Sequence, residues 1–573
     1  MQWTWLLLMC VGGARVQAES PEEWRTVRIA QGPVRGRYDN EYGIYAFYDI
    51  PYATAPTGSE RFKAPRAPPV WITTFDAVDR GIVCPQLSQS FNVQEDCLVA
   101  SVYVPNTRET NLPVAINIHG GAYQLGSGNT EKLNVATNKI IAVTFNYRLG
   151  VHGFLCLGTE DAPGNAGLKD QMALLRWVQQ NIASFGGNPQ DVTILGCSAG
   201  GGSVDLLTLS PATKGLFSKA IIESGVSTGS AGVQMDPIGN AKLYARILNF
   251  TDVDNIDSLV EFYKSASFES LVEHALQIWN TKTGAVIFAP CIEKDLGQER
   301  ILDDVPLNII KEGNYAKIPL LYGFSDLEGV LKMFNIGEWK ESMNENFSEF
   351  LPADLQFENE DEKREIAQTV KDFYFGDQPV SEATLQQYAN YFTDQMFVYP
   401  MLRQIPLRSQ SLNDSIYLYM YSFQQESSPV SQLNLKGAAH CEQAAIVRDE
   451  NEDNITPEYR LMKKAMREMW LNFITTGKPV PEDSELPSWP PTTVDRTPYM
   501  SLEQDLGLKY TALREVNVAL WNSIYEKHNH NPSPPSFENV PGRAVTSAVS
   551  RILVACIAFF YTVNTRSSVY CEL

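Results

Sequence analysis

Gly196-Cys197-Ser198-Ala199-Gly200 stands between an apolar, strand-like run at 191–195 and a helix-compatible run from Ala199 to Leu209. A serine at a sharp strand-to-helix turn has its hydroxyl held clear of the sheet, where a substrate carbonyl can reach it. Glycine on either side leaves room for so tight a turn. Serine is a poor nucleophile at neutral pH. It needs a base to take its proton, an acid to orient the base, and N–H donors for the oxyanion that forms.

In this arrangement the chain order is serine, then Asp or Glu, then histidine. The six histidines are at 119, 152, 274, 440, 528 and 530. His119 and His152 precede the serine. His274 lies in the helix-like stretch 270–276, and His528 and His530 open a Pro/Asn/Ser-rich tail. His440 remains, in Gly437-Ala438-Ala439-His440-Cys441, where small residues let one loop approach another. The acid is expected between Ser198 and His440, after a strand. The run 318–323 reads as that strand, and both Asp326 and Glu328 follow it; residue types alone leave the two open. For the oxyanion, one donor is Ala199, next after the nucleophile. The other belongs to a glycine-rich loop after an early strand, and His119-Gly120-Gly121-Ala122-Tyr123 follows the strand-like run 113–118.

Together these residues resemble the cholinesterase/carboxylesterase family of α/β-hydrolases, the type-B carboxylesterases, over roughly residues 27–526. The ordered landmarks include Gly32-Pro33-Val34-Arg35-Gly36, Arg61-Phe62-Lys63-Ala64-Pro65, Glu95-Asp96-Cys97-Leu98, Asn146-Tyr147-Arg148-Leu149-Gly150, Phe185-Gly186-Gly187-Asn188-Pro189 and Glu223-Ser224-Gly225. The segment 150–225 is most similar to insect carboxylesterases. The resemblance implies an α/β-hydrolase fold with a large, mostly parallel twisted sheet flanked by helices. It implies a Ser198–Glu328–His440 triad, because the family's acid precedes a glycine, as Glu328 does. It also implies oxyanion donors at Gly121, Ala122 and Ala199, a disulfide between Cys84 and Cys97, and ion pairs Arg61–Glu95 and Arg148–Asp170.

Three departures bear on the substrate. Most active members carry Glu before the serine, where this chain has Cys197. The loop 84–97 is short and has no tryptophan to cradle choline. Leu331 stands where cholinesterases have an aromatic ring. Quaternary ammonium recognition relies on aromatic faces, so choline esters are not the expected substrate. With Val286 and Phe288, Leu331 is expected to form an apolar acyl pocket. The expected reaction is hydrolysis of a neutral, apolar small-molecule ester through an acyl-enzyme, with no metal or organic cofactor. The rival reading is a catalytically weak or silent, neuroligin-like binding or adhesion protein of the same fold.

The 573 residues show no internal repeat and no linker before the tail, and 44% hydrophobic content supplies a substantial core. One domain over 19–527 is expected, including a helix at 168–184 ended by Gly186-Gly187. A net charge of −21 without any basic stripe argues against nucleic-acid binding. The apolar run 3–13 and Val16-Gln17-Ala18 read as a signal peptide cleaved near residue 18. Glycosylation acceptors at Asn249, Asn346, Asn413 and Asn454 fit a secreted protein.

Over 528–573, residues 528–542 read as unstructured and 552–563 as an apolar run. The run is short for a membrane span and of the length found in cleaved GPI signals, so a surface anchor and plain secretion both stand. The sequence carries no signal for an oligomeric state. The pairing of Cys156, Cys197, Cys291 and Cys441 is open. The plainer expectation for Cys197 and Cys441 is two separate buried thiols; the alternative is a bridge or thiol pair beside the serine and histidine.

Overall fold

The computed structural model describes residues 23–88, 91–128, 139–275, 281–411, 415–448, 455–494 and 496–537. The leader, Asn413, Asn454 and the apolar run at 552–563 lie outside the described residues. Asn249 and Asn346 are both exposed. Among the described residues no helix is long and apolar enough to cross a membrane.

Among the described residues one 13-stranded sheet organises the chain. Its spatial order is Trp24–Ile29, Gly32–Asp39, Ile44–Pro51, Val99–Pro105, Ile141–Phe145, Leu112–Ile118, Gly187–Cys197, Lys219–Glu223, Leu320–Ser325, Ile416–Tyr421, Tyr499–Leu502 and Gly507–Lys509, with Phe75–Asp76 beside Gly32–Asp39. From Ile141–Phe145 to Tyr499–Leu502 all neighbours run parallel, and antiparallel strands flank them. Parallel strands joined by helical crossovers are covered on both faces, which is why they read as unbroken apolar runs. Successive side chains point to opposite faces. Thus Val114, Ile116, Val192, Ile194, Ala220 and Ile222 enter one core, while Ala115, Leu195 and Ile221 enter another on the far side. A third cluster, around Trp339, Phe350, Tyr391 and Trp521, belongs to helices packed beside the sheet.

The expected helix runs as an α-helix over Ala166–Asn181 and tightens to a 3₁₀ turn over Ile182–Phe185, with Gly186 at φ 94° ending it. Residues expected to be unstructured from His528 onward need correcting as far as Phe537. His528 is the last residue of the helix Glu515–His528 and is buried; Asn529 bridges to Leu355, and the His530 N–H donates to the Asp354 carbonyl at 2.8 Å. Phe537 packs on the main core. The polar composition of this segment hid its anchors, which are backbone bonds, the Arg403 guanidinium on Asn529, buried Pro535, and Phe537.

Among the described residues three disulfides join Cys84–Cys97, Cys156–Cys291 and Cys197–Cys441, spanning 13, 135 and 244 residues. In the chain-entropy account, closing such loops is worth about 3 kcal/mol for the shortest and about 5 kcal/mol for the longest. Both ion pairs form. Arg61 meets Glu95 at 2.7 Å, and Arg148 holds Asp170 with Nη2 and Nε at 2.6 and 2.8 Å, fully out of solvent. Arg148 also donates to the carbonyls of Arg61 and Lys63, so it pins the 61–63 segment to the helix Ala166–Asn181. Removing one partner would leave a buried charge uncompensated. Arg148→Ala is expected to cost about 3–5 kcal/mol, read as a lowered urea midpoint at unchanged slope. A loss under about 1 kcal/mol would mean that water reaches Asp170.

Candidate active site

The elbow follows from close backbone packing. The strand Gly187–Cys197 ends at Ser198, which sits at φ 61°, ψ −127° and opens the helix Ala199–Leu209. That backbone conformation is costly for serine. Two positions show why the neighbours must be glycine. A Cβ on Gly200 would lie 2.1 Å from the Ile118 carbonyl oxygen, and one on Gly120 would lie 2.8 Å from the Cys197 carbonyl oxygen and 3.2 Å from the Ser198 Cβ. The glycine loop therefore rests directly on the elbow. Ala122 and Tyr123 beside it also have positive φ, as do Ser224 and Cys441. Among the described residues, no hydrogen bond engages the N–H groups of Gly121 or Ala122. Ala199 is the first residue of its helix, where no i−4 carbonyl exists to accept its N–H.

His440 Nδ1 lies 2.5 Å from Glu328 Oε2, and Ser325 N–H donates to Glu328 Oε1 at 2.8 Å. Asp326, left open with Glu328 by residue types alone, does a different job: its Oδ1 accepts the Ala438 N–H at 2.7 Å and so holds the backbone of the histidine loop. His440 Nε2 is 3.6 Å from Cys441 Sγ. Ser198 is half-buried, and no hydrogen bond joins its hydroxyl to His440. Catalytic contacts of this kind commonly tighten only with substrate bound.

The expectation of two separate thiols at 197 and 441 is corrected, since their sulfurs are bonded. Glu328 and His440 meet directly, the Cys197–Cys441 bond joins the residues next to Ser198 and His440, and Gly120, which precedes Gly121 and Ala122, packs on the elbow that Ala199 continues. Val286 and Phe288 lie in the main core, Phe288 with its ring edge-on to Tyr244. Leu331 packs with the helical cluster around Trp339. Among the described residues, no group of His, Cys, Asp or Glu is arranged to hold a metal ion.

Sequence reasoning missed several residues. Phe397 lies with its ring centroid 4.7 Å from that of His440 and sits in the π-helical turn Asp394–Val398, a distortion frequent at functional sites. Its Asp394 is held by Arg514, Tyr374 and Asn517. Gln443 spans three segments: its amide nitrogen donates to Ser224 Oγ at 2.6 Å, and its oxygen accepts from Ser325 Oγ at 2.6 Å. Tyr419 donates to the buried Glu223 at 2.5 Å. Gln443 could have been suspected from its position three residues after the candidate base. Phe397 carries no local signal.

The carboxylesterase family model matches residues 23–521. A juvenile hormone esterase of Heliothis virescens is 31% identical over 83% of this chain and 92% of its own length. A carboxylic ester hydrolase of Bombus ignitus is 30% identical over 88% and 94%. Among solved structures, juvenile hormone esterase from Manduca sexta with OTFP covalently attached superposes with a TM-score of 0.78 at 29% identity, covering 88% of this chain and all of that one.

Burial pushes the Glu442 carboxyl up to about 7 and the Asp326 carboxyl up to about 6, against opposing hydrogen bonds from the Ala439 and Ala438 N–H groups. Both values lie above the ordinary carboxylate range, so the native state holds extra protons. The stability that this lends is complete below about pH 4 and is lost as pH rises through the two native values. The thermal midpoint should therefore fall as pH rises from about 4 to about 8, and Glu442→Gln, uncharged throughout, should show a smaller fall. An unchanged pH dependence in that variant would contradict the assignment.

Proposed function

Because this chain belongs to the carboxylesterase family, we propose that it hydrolyses neutral, apolar carboxylic esters through Ser198, His440 and Glu328. The family makes it a carboxylesterase; the residue roles and the substrate class are our reading. One observation carries it: a serine at a strained strand-to-helix turn is cross-linked, through its neighbour, to the residue beside a histidine that a buried glutamate holds.

The chemistry runs from that geometry. Glu328 accepts the Nδ1 proton of His440, which leaves Nε2 as the base. Nε2 takes the Ser198 proton as the oxygen attacks the ester carbonyl. The tetrahedral oxyanion is held by the N–H groups of Gly121, Ala122 and Ala199, each such donor being worth about 10²–10³ in rate. His440 returns the proton to the leaving alcohol, then activates water to release the acyl group. Buried Glu328 stabilises the imidazolium that forms on the way.

For the substrate, support comes from an apolar surround: Phe397 against His440, with Val286, Phe288 and Leu331 proposed to contact the acyl group. Relatives named for juvenile hormone and para-nitrobenzyl esters make apolar esters the class to test. We further propose export after cleavage of 1–18, glycans on Asn249, Asn346, Asn413 and Asn454, and one catalytic domain from residue 19, with plain secretion as the leading fate and a surface anchor through the C-terminal tail as its rival.

A panel of p-nitrophenyl esters from acetate to octanoate, beside butyrylthiocholine, tests the reading. Hydrolysis of the neutral esters is expected, with the thiocholine ester at least about 10-fold poorer. Ser198→Ala should lose about 10⁴-fold or more in kcat. Hydrolysis that survives in Ser198→Ala, or a preference for the thiocholine ester, would overturn it.

A further inference from the structure

The loops of the site are fastened in two groups, joined at their base by the paired strands Lys219–Glu223 and Leu320–Ser325, where the Ser224 N–H donates to the Gly323 carbonyl at 2.9 Å. The acid and base loops are tied to each other: Leu327 N–H donates to the Ala438 carbonyl at 3.1 Å, Ala438 N–H to Asp326 at 2.7 Å, and His440 meets Glu328 at 2.5 Å. The elbow is tied to the glycine loop by close packing at Gly120, and to the neighbouring strand by the Ser198 N–H bond to the Glu223 carbonyl at 2.9 Å. Between the two groups runs the Cys197–Cys441 bond, supplemented by the Gln443 amide, which lies 2.6 Å from Ser224 Oγ and 3.9 Å from Cys197 Sγ. The bridge leaves the residue before the nucleophile and arrives at the residue after the base. Cys441, like Ser198, is held at positive φ.

We propose that the Cys197–Cys441 disulfide is a positioning element of the Ser198–His440 pair, so that turnover, and not only stability, requires the bridge. This rests on the reading of Ser198 as nucleophile and His440 as base. Without the bridge the histidine loop keeps its bonds to Glu328 and Asp326 and reaches the elbow side through the Gln443–Ser224 bond, a single side-chain tie that leaves its register with the serine loose. Displacement of about 1 Å is enough to cost about 10²-fold in rate. Reduction adds a second loss. A phosphine supplies two electrons and takes an oxygen from water to become its oxide, and the two cysteines each gain a proton. The Cys441 thiol then stands at the His440 nitrogen that must accept the serine's proton, since Sγ is already 3.6 Å from Nε2.

The test compares wild type, Cys197→Ala/Cys441→Ala and, as a control for losing a crosslink elsewhere, Cys156→Ala/Cys291→Ala. The readouts are kcat and KM on p-nitrophenyl butyrate and the thermal midpoint. The expected result is a folded site variant whose kcat falls about 10²-fold with KM within about threefold, beside a control that loses thermal stability but keeps kcat within about threefold. Phosphine treatment of native wild type should lower kcat at least as far, reversibly on reoxidation, and should leave the site variant unchanged. If that variant does not fold, the same reduction, with circular dichroism confirming a retained fold, decides. A site variant or reduced protein with wild-type kcat, equal losses of kcat in both double variants, or both thiols alkylated in untreated native protein would overturn the proposal. Full kcat in the site variant alongside an inert Ser198→Ala overturns this proposal alone. An active Ser198→Ala overturns the underlying reading as well.

Discussion

Parallel pairing delivers the loops of the site to one edge of the sheet. Gly196 stands opposite Ile118, Cys197 opposite Glu223, Glu223 opposite Gly323, and Gly323 opposite Tyr419. Parallel strands linked by crossovers all end on the same side, so whatever follows each strand is brought together there. The glycine loop, the elbow, the Glu223-Ser224-Gly225 turn and the acid loop are those continuations. A one-residue slip would exchange the two cores and turn Ser198 away from the loop that flanks it.

Given that edge, backbone proximity matters more than side-chain contacts. Gly120 and Gly200 allow main chains to meet at distances that a methyl group would forbid, and positive φ recurs at Ala122, Tyr123, Ser198, Ser224 and Cys441. Conformations of this cost persist where the surroundings over-determine them. Around these residues lie four carboxylates whose hydrogen bonds divide their work. Glu328 holds a ring, Asp326 and Glu442 hold backbone N–H groups of the histidine loop, and Glu223 is satisfied by Tyr419. Burial keeps Asp326 and Glu442 from ionising as readily as free acids.

Much of this was legible in residue order. The elbow, the glycine loop and the strand before Glu328 carry strong local signals, apolar runs interrupted by glycine, and of the histidines after Ser198 only His440 stands in a loop of small residues. Residue types could not choose between Asp326 and Glu328, because the choice depends on which carboxylate meets the ring and which meets the loop backbone. Family resemblance favoured Glu328, and the geometry brings that residue to His440. Phe397 was invisible because it reaches His440 through tertiary packing of a helical turn 43 residues earlier in the chain, whereas Gln443 stood in plain view beside His440 but its partners Ser224 and Ser325 did not. No local signal favours the Cys197–Cys441 bond over two free thiols, since a spacing of 244 residues says nothing about proximity until Ser198 and His440 are placed together. His528 to Phe537 looked like solvent-exposed tail, and a handful of contacts overruled composition.

The central claim is that Ser198 is an activated nucleophile beside working oxyanion donors. Mapping the site of covalent labelling by a fluorophosphonate tests it most directly. The account predicts stoichiometric labelling on the peptide containing Ser198, lost on denaturation and in His440→Ala. Absence of labelling in folded, fully oxidised protein, or labelling mapped to another residue, would contradict it.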